Sequence, residues 1–367
     1  MGWIRKPRSG RGWEARYRGP DGKERSRSFP TKRRAHEYLA TIEAEKHRGD
    51  WRDPALARTS LGEWVTEWEQ TTVHLRAATR DLYHYLLRCH VLPRFGSVQL
   101  GRITAMDVRA GLAELSSSGL SPSTVRKAYG VLSRVLNTAV ECGLVTRSPC
   151  AGVKPPPEPS KPMRFLSASQ VPDLAEAIDP AYAVLVYTAA YTRLRWGELA
   201  GLQRQQVELV RRTITVVEQL TEVNGTLAFG PPKTAAGRRR VALPAFLVDL
   251  LKAHLAEHAE PGPSGLVFPV RDGGPMRRSN FRRRHWEQAT RRAGLDGLRF
   301  HDLRHTAVAL AIEAGAHPRA LMERLGHSSV NVTLGRYGHL LPGQDEAIAA
   351  RLEAAFHSAH ASSAPAR

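Results

Sequence analysis

Five prolines fall within residues 151–163 (AGVKPPPEPSKPM), and neither a helix nor an interior strand can run through them. Three of them are consecutive, which holds the backbone extended and leaves it without internal hydrogen bonds. The segment therefore predicts a semi-rigid linker, and the chain has to build separate cores on either side of it. A length of 367 residues fits that division into two or three domains. With 42% hydrophobic residues, each part has enough apolar material for a core, which excludes wholesale disorder.

The charge narrows the class of partner. Lys and Arg number 54 against 35 Asp and Glu, a net +19, so the chain predicts a polyanionic partner, nucleic acid ahead of anionic membrane. The longest apolar stretch, Ala181 to Val186, is far too short to span a bilayer. Arg5, Lys6 and Pro7 interrupt any secretory signal directly after Met1. The three cysteines (Cys89, Cys142 and Cys150) cannot all pair, and none lies in a C-x-x-C, as expected of a reducing cytosol.

Residues 1 to 34 carry twelve basic and three acidic side chains, +9 of the +19. Trp13, Ala15 and Tyr17 alternate with Glu14 and Arg16, which predicts a strand. Gly19-Pro20-Asp21-Gly22 is a turn signal, and Ser26 to Phe29 reads as the returning strand. Thr31 is placed to cap a helix through Ala35, Tyr38, Leu39 and Ile42. Residues 1–55 thus predict a small basic sheet-plus-helix module, with Arg16, Arg25 and Arg27 as candidate DNA contacts, against the plainer reading of a solvated basic tail.

Residues 58–150 read as helical. Leu61, Trp64, Val65 and Trp68 recur at helical spacing. Ser121-Pro122 opens a helix that places Val125, Tyr129, Leu132, Leu136 and Val140 on one face and stops at Gly143. Arg126 and Lys127 lie off that stripe and are candidate phosphate contacts, although a solvated face accounts for them equally well. After the linker, residues 164–357 form the largest unit. A helix pattern runs from Ser169 through Ala190 to Leu202. Arg212 to Val217 then predicts a strand, Asn224-Gly225 a hairpin turn, Thr226 to Phe229 its partner and Arg239 to Leu243 a third strand. Helices resume at Ala245, and residues 358–367 read as a disordered tail. The expected class is mostly α with small β-sheets (α+β), including a three-stranded sheet in the last unit.

Four clusters in this unit carry chemistry. Arg195 and Glu198 in TRLRWGEL share a helix face, so the carboxylate can orient the guanidinium toward a phosphate. Lys233 follows Pro231-Pro232 near the hairpin. His301 and Arg304 in HDLRHT reach one side of a helix start. His327 lies in LGHSS and Tyr337 in RYGH. Individually these read as a surface ion pair, a solvated lysine and a packing tyrosine. A metal site on His301, His305 and His327 has no H-E-x-x-H motif behind it. The set also lacks the carboxylate cluster of a two-metal nuclease and a G-x-x-x-x-G-K-[ST] loop. Two arginines, a lysine, two histidines and a tyrosine suit attack on a phosphodiester without metal.

At these residues the sequence resembles the tyrosine recombinase (phage integrase) family, over nearly its whole length. Thr192 to Leu199 resembles the family's first arginine box, Lys233 its hairpin lysine, His301 to His305 its H-x-L-R-H box, and Leu325 to His339 its L-G-H-S-S and Y-x-H boxes. The resemblance implies that Arg195 and Arg304 bind the scissile phosphate and that His301 and His327 assist. It makes Lys233 the donor to the departing 5′ oxygen, Tyr337 the nucleophile that forms a 3′-phosphotyrosyl link, and Glu198 a support for Arg195. It implies neither cofactor nor ATP. It also implies an arm-type DNA-binding module at 1–55, a core-binding domain at 58–150, and double-stranded attachment sites engaged by a homo-tetramer in a bacterial cytosol or nucleoid. An accessory DNA-bending protein and an excision factor are further partners of such systems. The same resemblance has the apolar stripe Ala347, Ile348, Leu352, Ala355 and Phe356 packing on a neighbouring protomer.

One residue departs from the pattern: Arg193 stands where the family usually has glycine. It favours one alternative, a catalytically weak DNA-binding regulator. A type IB topoisomerase-like enzyme is the other. The separate basic module argues for recombination, because tethering a second DNA site serves synapsis and does nothing for relaxation.

Overall fold

The computed structural model describes residues 2–7, 10–49, 51–159, 163–232, 237–316, 349–350 and 352–353. It divides into two compact units, residues 1–160 and 161–367. The first holds two hydrophobic cores. In the smaller one, an antiparallel sheet of β1 (Trp3–Arg5), β2 (Trp13–Arg18) and β3 (Glu24–Phe29) packs on α1 (Lys32–Arg48). Ala15, Tyr17, Ala35, Leu39 and Ile42 fill the space between them. The Thr31 side chain caps α1 as the sequence predicts, and Gly49 ends it at φ 74°. In this module β1 has no counterpart in the sequence expectation; at three residues it is too short to show an alternating pattern.

The larger core of this unit is helical: α2 (Leu61–Thr71), α3 (Ala77–Leu86), α4 (Leu92–Phe95), α5 (Ala105–Ser117) and α6 (Pro122–Glu141). Leu61, Trp64, Val65 and Trp68 are all buried, and the Trp64 indole donates to the Val135 carbonyl at 2.9 Å. Helix α6 is capped by Ser121 with Pro122 at its first position, and it buries its stripe from Val125 to Ala139. The start of the linker belongs to this core. Val153 is buried, and the Tyr129 hydroxyl donates to the carbonyls of Cys150 and Val153.

The second unit begins with α7 (Gln170–Ala177), α8 (Ala183–Thr192) and α9 (Trp196–Ala200). The continuous helix pattern from Ser169 to Leu202 is thus broken twice, at Asp179-Pro180 and at Arg193. Strands β4 (Val207–Glu208), β5 (Thr213–Val216), β6 (Gln219–Val223), β7 (Thr226–Gly230) and β8 (Arg239–Ala242) follow. The pairing differs from the sequence expectation. The Asn224-Gly225 turn joins β6 to β7 as a separate two-stranded hairpin, while β5 pairs with β4 and β8 in the three-stranded sheet. From the sequence, Arg212 to Val217 is the expected first arm of the turn. In the structure that arm is β6, whose polar, mixed residues carry no strand signal. Helices α10 (Ala245–Glu257), α11 (Arg278–Phe281), α12 (Glu287–Arg292) and α13 (Asp302–Glu313) complete the described part. A core from Leu166 to Leu303 ties these elements together, with α8 central and fully apolar at Leu185, Val186 and Ala190. No helix among the described residues is long and apolar enough to cross a membrane.

Candidate active site

Helix α8 ends at Thr192, and Arg193 takes the left-handed conformation, φ 60° and ψ 21°, which turns the chain back on itself. This is a position where glycine is favoured because it has no Cβ to strain. Arg195 follows in extended conformation and caps α9. Three residues on, the Glu198 carboxylate accepts from the Arg195 backbone N–H at 2.9 Å and from its Nη1 at 2.8 Å. A second guanidinium reaches the same carboxylate from β8: Arg239 donates through Nη2 at 2.8 Å and Nη1 at 3.2 Å. Glu198 is 1% exposed. Burial alone pushes its carboxyl up, but the hydrogen bonds and charge of Arg239, then of Arg195, more than offset this and hold it below the ordinary carboxylate value.

The second half of the site is the start of α13. Asp302, buried, accepts from the Arg299 backbone at 2.8 Å and from its guanidinium at 2.6 Å, which fixes the first turn. Arg304 is 7% exposed, and its Nη1 donates to the Arg193 carbonyl at 2.6 Å. The left-handed turn at Arg193 thus presents the oxygen that orients Arg304. Burial, then the charges of Arg193 and Arg195, depress Arg304 to about 8, with Glu198 opposing them. These causes describe a site with an excess of buried positive charge. Arginine stays protonated in proteins, so the relief for such a field is a bound anion.

His301 lies at the rim with part of its ring in solvent. Desolvation of the rest, then the neighbouring His305 and Arg304, push it down to about 4. It is therefore neutral at pH 7, able to donate from one nitrogen and accept at the other. The His305 ring meets it edge-on at 5.4 Å between centroids.

Arg195, His301 and Arg304 line one open cleft of about 430 Å³, together with Trp196, Arg278 and the β6–β7 hairpin. Two glycines allow the hairpin to come so close. A Cβ on Gly197 would stand 2.5 Å from the Leu220 carbonyl oxygen, and one on Gly201 would stand 2.9 Å from the Leu220 nitrogen. Arg277 pins the other side of the hairpin, donating to Glu222 and, at 2.7 Å, to the Gly225 carbonyl.

The structure thus brings together Arg195, Glu198, His301 and Arg304. Lys233, His327 and Tyr337 lie outside the described residues, as do nearly all of the C-terminal stripe and the 358–367 tail. Sequence reasoning missed Arg239 and the Arg193 carbonyl. Arg239 was legible in principle, since it shares an inward strand face with the buried Val241. The described residues hold no group of three or more His, Cys, Asp or Glu arranged to bind a metal ion. In the first unit, Arg25 is held by Asp21 and Asp53, and Arg16 by Glu14 and Glu24. Arg27 instead covers the rings of Phe29 and Tyr38. Lys127 is exposed, and the exposed Arg126 donates to the Pro156 carbonyl at 3.1 Å.

Comparison with known proteins places this geometry. Residues 164–343 match the Phage integrase family, residues 1–48 the phage integrase N-terminal domain, and residues 60–116 the phage integrase N-terminal SAM-like domain. The chain is 31% identical to the prophage phiRv2 integrase of Mycobacterium tuberculosis, over 96% of this chain and 95% of that one. It is 29% identical to the integrase of Mycobacterium phage D29, over 96% of each. The fold resembles that of the Tn1549 transposon integrase in complex with transposon right end DNA, with a TM-score of 0.67 and 20% identity over 76% of this chain and 95% of that one. It also resembles a lambda integrase in a tetramer bound to a Holliday junction, with a TM-score of 0.52 and 18% identity over 89% and 92%. The chain belongs to the phage integrase family of tyrosine recombinases and is a site-specific DNA recombinase that integrates or excises a mobile element.

Proposed function

We propose that the cleft holds the scissile phosphate of a double-stranded attachment site and that Tyr337 attacks it. The observation that carries this reading is the close set of arginines there: Arg195 and Arg239 bond Glu198, and the charges of Arg193, Arg195 and Arg239 all act on the buried Arg304. Arg195 and Arg304 clamp the non-bridging oxygens and stabilise the charge that builds on them in the transition state. Neutral His301 hydrogen-bonds the same phosphate. Its pKa rises once the anion enters, so it is ready to take part in proton transfer. The Tyr337 oxygen forms a bond to phosphorus, the bond to the 5′ oxygen breaks, and Lys233 supplies the proton to that oxygen, with His327 assisting. The product is a 3′-phosphotyrosyl ester. Attack by the 5′ hydroxyl of another strand reseals the DNA and releases Tyr337. One ester replaces another, so the reaction needs neither ATP nor metal.

The upstream segments serve the same task in this reading. Residues 1–55 bind arm-type sites, 58–150 grip the core site, and 164–357 cut. Four copies act around two duplexes in the cytoplasm, with DNA-bending and excision factors setting direction. The lambda integrase tetramer supports the assembly by analogy of fold.

The test is covalent capture of a nicked core-site duplex on a denaturing gel. The wild-type chain should give a protein–DNA band with and without EDTA. Tyr337→Phe should give none while binding the duplex nearly as well. A surviving band in Tyr337→Phe would overturn the nucleophile, and loss of the wild-type band in EDTA would restore a metal mechanism.

A further inference from the structure

Arg277 and Arg278 are neighbours with opposite fates. Arg277 is spent on the hairpin, as described above. Arg278, at the start of α11, is exposed, and its side chain forms no hydrogen bond or ion pair with any other described residue. It nevertheless lines the same cleft as Arg195, His301 and Arg304, and its charge acts on His301. An arginine at a cleft rim with no carboxylate beside it presents its whole donor fork to whatever enters. The cations deeper in the cleft are arranged for a single phosphate. A duplex that places one phosphate there necessarily brings the next phosphates of the strand past the rim. Phe281, three residues on, is buried in the core beneath this segment, so the backbone carrying Arg278 is anchored.

We propose that Arg278 is a DNA-binding residue that holds a backbone phosphate next to the scissile one. The inference rests on the assignment of the cleft to the scissile phosphate. Its contribution is to binding: the contact exists before and after cleavage, so it acts on affinity and leaves the chemical step alone.

The experiment pairs Arg278→Ala with core-site duplexes that carry one uncharged methylphosphonate at each backbone position in turn, using the full chain. Arg278→Ala should weaken binding roughly tenfold, as expected for loss of one charge-assisted contact. The slope of log affinity against log salt should become shallower by about 0.9, one phosphate's worth. Cleavage at saturating duplex should stay within about threefold of wild type. One methylphosphonate adjacent to the scissile position should weaken wild type and leave Arg278→Ala indifferent. Arg278→Lys should restore the salt slope, which a structural role in α11 would not predict. An unchanged slope, or losses that simply add at every position, would overturn the proposal. Covalent capture by wild type in the same reactions separates the two readings: its absence sinks the cleft assignment, whereas its presence with no coupled phosphate sinks Arg278 alone.

Discussion

Arginines in the N-terminal sheet and arginines in the cleft are set in opposite electrostatic surroundings. Arg25 donates to Asp21 through Nη1 and Nη2 at 2.8 and 2.7 Å and to Asp53 through Nε at 2.8 Å, with its guanidinium 4.8 Å from the Trp51 ring centroid. Arg16 meets Glu24 at 2.6 Å and Glu14 at 3.3 Å. Both are matched by two carboxylates and act as struts of a small module. In the cleft region Arg195 and Arg239 share Glu198, and the charges of Arg193 and Arg195 act on the buried Arg304. The segment with the densest positive charge in sequence is therefore, at these two arginines, matched by its own carboxylates, while the cleft sets arginines close enough for their charges to act on one another. Cation count points to a class of partner, while the placement of the carboxylates decides which arginines are held as struts.

Removing the carboxylate that Arg195 and Arg239 share should have the largest effect. Glu198→Ala leaves Arg195 and Arg239 without their shared partner and adds to the crowding around Arg304. Breaking a buried pair from one side typically costs about 3–5 kcal/mol, so the denaturant midpoint of the catalytic unit should fall clearly at pH 7. The folded pKa of Glu198 lies below the ordinary value near 4.5, so its stabilising contribution is present above that value and is lost as pH falls through the folded one. The gap between wild type and Glu198→Ala should accordingly close in acid. A gap that persists unchanged at pH 3 would show that the carboxylate's charge is not what holds the arginines. Asp21→Ala, the corresponding cut in the exposed N-terminal pair, should be nearly silent.

This contrast also marks what could be read from the sequence. Arg195 and Glu198 were legible because they lie three apart on one helical turn, and His301 with Arg304 for the same reason. Arg239 joins Glu198 across 41 residues and the Arg193 carbonyl joins Arg304 across 111, contacts that no local period encodes. The pairing of Arg16 and Arg25 was hidden likewise. Asp53 is 28 residues from Arg25, so a count of basic residues read as free charge what the fold neutralises. The hairpin was misassigned because its turn is written plainly as Asn224-Gly225 while its first arm is polar. The close approach of that hairpin to α9 shows only in the absence of side chains at Gly197 and Gly201.

A smaller effect should separate Arg25 from Arg27. Arg25→Ala removes a network and a ring contact, and should cost the N-terminal module about 1 kcal/mol. It should leave the salt slope of DNA binding nearly untouched. Arg27, exposed on β3 with no carboxylate in contact among the described residues, should behave in reverse: Arg27→Ala should leave the melting temperature unchanged and flatten the slope by about 0.9. If both variants flatten the slope equally, pairing with carboxylates does not decide which arginines meet DNA, and the comparison fails.

The smallest net effect should come from Arg193→Gly, because its consequences oppose one another. Glycine adopts φ 60° without strain, which relieves about 1 kcal/mol or more at the end of α8. It also loses more backbone freedom on folding, which returns about 0.5–1 kcal/mol of that gain. The backbone conformation is retained, so the carbonyl that orients Arg304 stays where it is and the phosphate clamp remains assembled. What disappears is a buried positive charge beside Arg304, the largest charge acting on it. Arg304 is then less crowded in the empty site and gains less from an incoming phosphate. Binding at low salt should weaken modestly, with cleavage at saturating DNA within about tenfold of wild type. Arg193→Ala separates the two causes: it removes the charge and keeps the strain, so it should weaken binding as glycine does and melt lower. A variant with glycine that cleaves orders of magnitude faster would mean that the arginine disables the site, and would reopen the reading of this chain as a weak recombinase.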